Sequence, residues 1–213
     1  MSLSFHLYFE ALSLLVAIIC YKRLKGSFML LFIPFLGLTF LSELGSSYIY
    51  QVHGASTTWI YKILNPLSQC FYAYIFYQLA SDQKFKKIIL ILVSVYFLIC
   101  VYYYLKDDQF NSYLIVAGGF IQIIFACGFF YQCLKNDEYF GSNTWNSGLW
   151  IASGVLIFYA GIAIVFSLFD YIRLHKLEII EIPLYNIIPR ALSIVLYSCL
   201  SISFLVWKHP RKT

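Results

Sequence analysis

Apolar residues follow one another in seven long runs, which short polar segments separate. A helix that crosses the hydrocarbon core of a membrane needs about 20 largely apolar residues. The pattern therefore predicts an all-α, polytopic membrane protein in which residues 1–213 form a single domain of seven transmembrane helices. The predicted spans are Phe5–Tyr21, Phe28–Tyr50, Thr58–Leu79, Ile88–Leu105, Ser112–Leu134, Ser147–Asp170 and Leu184–Trp207.

The composition narrows the class of protein further. Of the 213 residues, 61% are hydrophobic and 12% are charged, whereas a soluble domain averages about 25% charged residues. This balance excludes an ordinary soluble globule, a disordered chain and a disulfide-rich secreted module. The short connections leave no room for a soluble catalytic or nucleic-acid-binding domain. We therefore expect a lipid bilayer as the surroundings of the chain, and no nucleic acid as a partner.

The basic residues are distributed unevenly between the two sets of loops. Ten of the fifteen lie in loops on one side, three lie on the other side, and Lys62 and Arg190 lie inside spans. Because Lys and Arg accumulate in cytoplasmic loops, the N-terminus is predicted to be outside and the C-terminus cytoplasmic. The larger set is Lys22, Arg23, Lys25, Lys84, Lys86, Lys87, Lys135, Lys208, Arg211 and Lys212, and the smaller set is Lys106, Arg173 and Lys176.

Polar residues recur at helical spacing inside several spans. Polar side chains in hydrocarbon turn toward the bundle interior or a wet cavity, so steps of three and four residues predict the inward faces. The stripes are Thr39, Glu43, Ser46 and Tyr50 in the second span, Lys62, Asn65, Gln69 and Tyr72 in the third, and Asn186, Arg190, Ser193, Tyr197 and Ser201 in the seventh. The fourth span carries no charge, which predicts a place at the periphery.

Small and helix-breaking residues predict how the spans pack and bend. Gly154 and Gly161, seven residues apart in the sixth span, predict close helix packing. Pro34, Pro66 and Pro189 lie within spans two, three and seven. A proline frees a backbone carbonyl and kinks a helix. Each proline is therefore either a fixed bend or a hinge.

The charges inside the spans are predicted to meet near the outer surface. Glu43 lies seven residues before Tyr50 and Arg190 six after Leu184, which places them about 10 Å and 9 Å deep. We expect an outward-facing cavity for a small polar or zwitterionic ligand, since Arg offers paired donors to a carboxylate or phosphate. The alternative is an internal Glu43–Arg190 pair that only holds helices together. The predicted ligand-binding residues are Glu10, Glu43, Lys62, Asn65, Gln69, Asp170, Arg190 and Tyr197.

Signatures of catalysis and of metal binding are absent from the sequence. There is no H-E-x-x-H, G-x-S-x-G, P-loop or G-x-G-x-x-G motif. His6, His53 and His175 come from three separate segments without ligand spacing, which favours solvated loop histidines over a zinc site or a pH sensor. We therefore expect no enzyme activity, no cofactor and no metal.

Three segments resemble a family of small, uncharacterised bacterial proteins with seven membrane helices. The segments are Phe-Leu-Gly-Leu-Thr-Phe-Leu-Ser-Glu-Leu around Glu43, Leu-Trp-Ile-Ala-Ser-Gly-Val-Leu-Ile-Phe-Tyr-Ala-Gly in span six, and Leu-Tyr-Asn-Ile-Ile with Ile-Val-Leu-Tyr in span seven. The resemblance implies an inner-membrane location and association with sensor kinases, and it supplies no site residues. The third span departs from the family, because Gln69-Cys70-Phe71 stands where the family has an acidic residue followed by an aromatic one.

Three functions are compatible with this sequence. The first is a sensor or receptor that binds a ligand from outside and signals through a sensor kinase or another membrane or cytoplasmic partner. The second is a small transporter or channel with a 3+1+3 arrangement of helices. A transporter needs polar access from both faces, however, and the inner half offers few polar residues. The third is a structural subunit without a ligand.

Overall fold

The computed structural model describes residues 5–106, 112–135, 143–174 and 178–207, and within these ranges the chain forms helices and no strand. Each predicted span corresponds to one helix, with ends that differ by up to six residues, so the all-helical fold class is confirmed. The helices are α1 (Phe5–Ile19), α2 (Tyr21–Leu24), α3 (Phe32–His53, preceded by a 3₁₀ turn at Phe28–Leu31), α4 (Thr58–Leu79), α5 (Gln83–Lys106), α6 (Ser112–Lys135), α7 (Asn143–Leu174) and α8 (Glu178–Val206).

Five stretches in the described ranges are long and apolar enough to cross a membrane, which indicates a membrane protein. They are Phe28–His53, Gln83–Tyr104, Tyr113–Lys135, Trp145–Leu168 and Ile187–Val206. Helix α1 is apolar but has only 15 residues. Helix α4 has 22 residues, but Lys62, Asn65 and Gln69 interrupt its apolar run.

The ends of α3 follow from local backbone chemistry. Gly54 ends the helix with a left-handed φ of 60°, a conformation that glycine adopts without a Cβ clash, and its N–H donates to the carbonyl of Tyr50. Pro34 lies in the first turn of α3. A proline there removes a donor that would have no partner within the helix. Pro34 therefore lies within the apolar stretch Phe28–His53, as the sequence predicts, but in the first turn of α3 and not in the helix interior.

Pro66, by contrast, lies inside α4 and leaves the carbonyl of Lys62 without its usual donor one turn later. The hydroxyl of Tyr104, on α5, donates a hydrogen bond to that carbonyl. The proline thus produces a backbone acceptor that ties α4 to its neighbour.

Three contacts identify the helix ends that meet at one end of the bundle. The rings of Phe28 and Trp207 pack edge to face with centroids 5.5 Å apart. Gln132 Oε1 of α6 accepts hydrogen bonds from the N–H and hydroxyl of Ser81, both at 3.0 Å. The described basic residues that the sequence places on one side belong to these same helix ends, so we call this region the basic end. They are Lys22, Arg23, Lys25, Lys84, Lys86, Lys87 and Lys135.

The half of the bundle next to the basic end is packed with large apolar side chains. Phe32, Phe76, Phe125 and Phe204 are completely buried there. Packing of this density leaves few voids that could hold water. Helix α5 lies at the edge of the bundle, where most of its large apolar side chains are exposed, as the sequence predicts.

Helices α7 and α8 pack closely through two glycines. A Cβ atom at Gly154 would lie 2.8 Å from the Cβ of Cys199, and one at Gly161 would lie 2.4 Å from Leu192 Cδ1. Both distances are shorter than a van der Waals contact, so the approach of the helices depends on the missing side chains. The predicted role of these glycines in close packing is confirmed.

Candidate functional site

A cavity of about 590 Å³ lies between the helices at the end opposite the basic end. Helices α1, α3, α4, α6, α7 and α8 all contribute side chains to its wall. The wall combines charged groups, hydroxyl groups and aromatic rings, which is the composition expected of a site for a small polar ligand. Five of the eight predicted ligand-binding residues line it, namely Glu10, Glu43, Asn65, Arg190 and Tyr197.

Glu10 of α1 is joined to α8 at the wall of this cavity. The hydroxyl of Tyr197 donates to Glu10 Oε1 at 2.8 Å. Glu10 is 0% exposed, and its second oxygen, Oε2, has no hydrogen-bond partner among the described residues. Thr39 lies within hydrogen-bonding reach of Glu10, but its hydroxyl donates to the carbonyl of Leu36 at 3.1 Å. A buried polar atom without a partner is costly, so Oε2 is a candidate contact for a ligand.

Glu43 of α3 lies nearer the mouth of the cavity. The hydroxyl of Tyr61, on α4, donates to Glu43 Oε2 at 3.1 Å. The charge of Arg190 is near enough to act on Glu43 and on His6. No salt bridge joins Glu43 to Arg190 in the part of the chain that the structure describes, and Arg190 itself is exposed. A direct Glu43–Arg190 pair, the alternative to a cavity, is therefore not formed.

The face of α4 that borders the cavity differs from the predicted stripe. Tyr61, Asn65, Ser68 and Tyr72 line the cavity and lie within about 60° of one another around the helix, at about 100° per residue. Lys62 and Gln69 are not part of that wall, since they lie about 40–60° beyond Asn65, the edge of this face. The sequence stripe therefore combined two adjacent faces of one helix.

Gln69 instead faces α6. Its side-chain amide contacts Gly118, where a Cβ atom would lie 2.8 Å from Gln69 Nε2, and its backbone carbonyl accepts a hydrogen bond of 3.0 Å from Gln122 Nε2. Gln69 is buried on this second face, and although it is a predicted ligand-binding residue, it does not line the cavity.

Two further expectations concern Asp170 and His6. Asp170 lies in α7, outside the described side chains, so its place relative to the cavity is not assigned. His6 was expected to be a solvated loop histidine, but it belongs to α1 and lines the cavity. The signal that could have found it is its spacing from Glu10, because residues four apart share one helix face.

The arrangement can bind and orient a small ligand through charge, hydroxyl groups and aromatic faces. No cluster of three or more His, Cys, Asp or Glu side chains suited to a metal occurs in the described ranges. Comparison of the chain with protein-family models, with curated proteins and with solved structures finds no match.

Proposed function

We propose that the protein is a receptor-like membrane protein that binds a small polar ligand in this cavity and passes the signal to a membrane or cytoplasmic partner. The observation that carries the proposal is the polar cavity itself, which is lined by two carboxylates and a guanidinium on three different helices. Charged side chains in the interior of a membrane protein are costly, and they usually mark a functional site.

The proposal includes a finer topology. All seven helices other than α2 would cross the inner, or plasma, membrane, with the N-terminus outside and the C-terminus in the cytoplasm. The seven described basic residues at one end of the bundle support this orientation, because such residues accumulate on the cytoplasmic side. The cavity would then open to the outside.

The apolar packing next to the basic end favours a receptor over a transporter. A transporter needs a polar path from either face in some state, whereas a receptor can remain closed on the cytoplasmic side. Ser147 and Ser203 are buried in that half and hydrogen-bonded to each other. Their hydroxyl groups are therefore engaged in holding α7 to α8.

A matched pair of tryptophan variants tests the proposal. Ser193 lines the cavity, whereas Ser198, one turn further along α8, does not. Each serine donates to the carbonyl four residues earlier, at 2.9 Å and 2.7 Å respectively. The thermal stability of the full chain in nanodiscs would be measured against a panel of amines, carboxylates, amino acids, sugars and sugar phosphates.

A member of the panel is expected to stabilise the wild type and Ser198→Trp but not Ser193→Trp. If no solute stabilises the protein, or if all three proteins respond equally, the cavity is not a ligand site and the proposal is wrong. Accumulation of the stabilising solute inside proteoliposomes would instead identify a transporter.

A further inference from the structure

Among the described side chains, the charges that line the cavity do not balance. Two carboxylates, Glu10 and Glu43, share one guanidinium, Arg190, when His6 is counted as neutral. Arg190 acts on Glu43. On α8 it lies seven residues before Tyr197, which is about 10 Å along the helix axis. Glu10 is hydrogen-bonded to Tyr197, so it lies about that far from Arg190 along the axis of α8. Glu10 is therefore the carboxylate that has no positive charge beside it.

Among the described residues, the surroundings of Glu10 contain no substitute for that charge. No salt bridge reaches Glu10 from a basic side chain in the described ranges, and the nearby charged group that acts on it is the carboxylate of Glu43. A buried carboxylate that stays ionised needs a cation or several hydrogen bonds to offset the loss of water. Glu10 has a hydrogen bond from Tyr197 on one oxygen only.

Aromatic rings complete this end of the cavity. Tyr72 and Tyr159 both line it, and their ring centroids lie 6.0 Å apart in an edge-to-face arrangement. Tyr72 is near enough to Glu10 for the carboxyl group to act on the phenol electrostatically. Aromatic faces attract ammonium groups, most strongly where water is excluded.

We propose that the Glu10 end of the cavity binds the ammonium group of a small amine that carries one positive charge. The inference rests on the proposed function, because it specifies the ligand that the cavity takes. Glu10 is fully covered, so a ligand that binds it displaces a neighbouring side chain. Tyr197 of α8 is the neighbour in direct contact, and amine binding is therefore coupled to the α1–α8 interface.

Three probes of similar size and different charge test this inference, namely n-butylammonium, n-butanol and butyrate. Their dissociation constants would be measured by thermal stabilisation of the full chain in nanodiscs, for the wild type and for Glu10→Gln. We expect the wild type to bind butylammonium more tightly than the other two probes. Glu10→Gln should weaken that binding about tenfold to a hundredfold, the range for loss of a charged hydrogen-bond partner.

Asp82→Asn is the matched control. Asp82 is also a carboxylate, but it is exposed in the loop before α5, where its Oδ1 accepts a hydrogen bond of 2.9 Å from the N–H of Lys84. This variant should bind butylammonium as the wild type does. The comparison of probes on the wild type alone remains decisive if Glu10→Gln does not fold.

The outcomes separate this inference from the proposed function. If butanol or butyrate binds as well as butylammonium, or if Glu10→Gln and Asp82→Asn behave alike, the cavity takes another class of ligand and the amine inference is wrong. If butylammonium does not bind but another solute stabilises the protein in a Ser193-dependent way, the inference alone fails. If no solute of the larger panel binds, both fail.

Discussion

The hydroxyl of Tyr197 donates to Glu10 across 2.8 Å and so joins the first and last helices of the chain, 187 residues apart. Glu10 is completely buried and Tyr197 is partly buried, so water has limited access to replace this hydrogen bond. The contact therefore bears on stability as well as on the cavity.

Replacement of Tyr197 by Phe should lower the free energy of unfolding by about 1–2 kcal/mol, because it removes one interhelical hydrogen bond and leaves Glu10 Oε1 without the donor from Tyr197. Unfolding of the purified protein in mixed micelles would measure the change. Tyr74→Phe is the control, since Tyr74 lies on α4, is exposed and does not line the cavity. Equal stability of the two variants would show that the Tyr197–Glu10 bond contributes nothing.

Pro66 and Tyr104 should be energetically coupled. In the wild type Tyr104 donates to the Lys62 carbonyl, for which Pro66 provides no N–H. Pro66→Ala restores an N–H one turn away, so the carbonyl regains a donor in its own helix. Tyr104→Phe is then expected to cost about 1 kcal/mol in the wild type and less in the Pro66→Ala background.

A double-mutant cycle of the unfolding free energies measures this coupling directly. Pro34→Ala serves as the second background, because Pro34 lies in the first turn of α3. There the cost of Tyr104→Phe should be unchanged. Additive effects of Pro66→Ala and Tyr104→Phe would mean that the tyrosine does not compensate for the proline.

The two glycines of α7 should tolerate alanine to different degrees. At Gly154 the new Cβ meets the Cβ of Cys199, an atom fixed by the backbone, whereas at Gly161 it meets the branched end of Leu192, which can rotate. Gly154→Ala should therefore destabilise by about 1–3 kcal/mol and Gly161→Ala by less. Gly161→Ala combined with Leu192→Ala should lose the clash but keep the cost of the shortened leucine.

Gly37→Ala provides the control for helix propensity, since nothing lies within 4 Å of a Cβ at that position of α3. It should be neutral or stabilise by about 0.5–1 kcal/mol, because alanine favours a helix more than glycine does. Thermal unfolding of the four variants measures the order of their stabilities. If the thermal stability of Gly154→Ala equalled that of Gly37→Ala, α7 and α8 would not pack as closely at Gly154 as the structure shows.

The apolar runs were sufficient to predict seven of the eight described α-helices and the peripheral place of α5, since both depend on hydropathy alone. The residues of α4 that line the cavity were harder to predict. Polar side chains occupy two adjacent faces of that helix, and Tyr61 faces Glu43 while Gln69 faces Gly118. Spacing within one helix cannot identify which neighbour each face meets, because the neighbours are set by packing of the whole bundle.

The roles of Pro34 and Pro66 were also not predictable, because both prolines fall inside predicted spans. The structure shows that α3 begins just before Pro34, whereas Pro66 lies in the interior of α4.

The orientation of the chain can be tested at the two exposed ends of α4. Ser56 lies in the loop before this helix and Asp82 lies in the loop after it. In a background without the six native cysteines, Ser56→Cys should react with a membrane-impermeant maleimide in intact cells. Asp82→Cys should react only after the cells are permeabilised, because its loop adjoins the basic residues that favour the cytoplasm.

The reverse labelling pattern would mean that the cavity opens to the cytoplasm, and the protein could not be a receptor for an external ligand. Reaction of both positions in intact cells would mean that α4 does not cross the membrane. That result would agree with its interrupted apolar run, and it would leave Glu43 and Tyr61 near a surface exposed to water. The charges of the cavity would then be solvated, and Glu10 would no longer need a cation from a ligand.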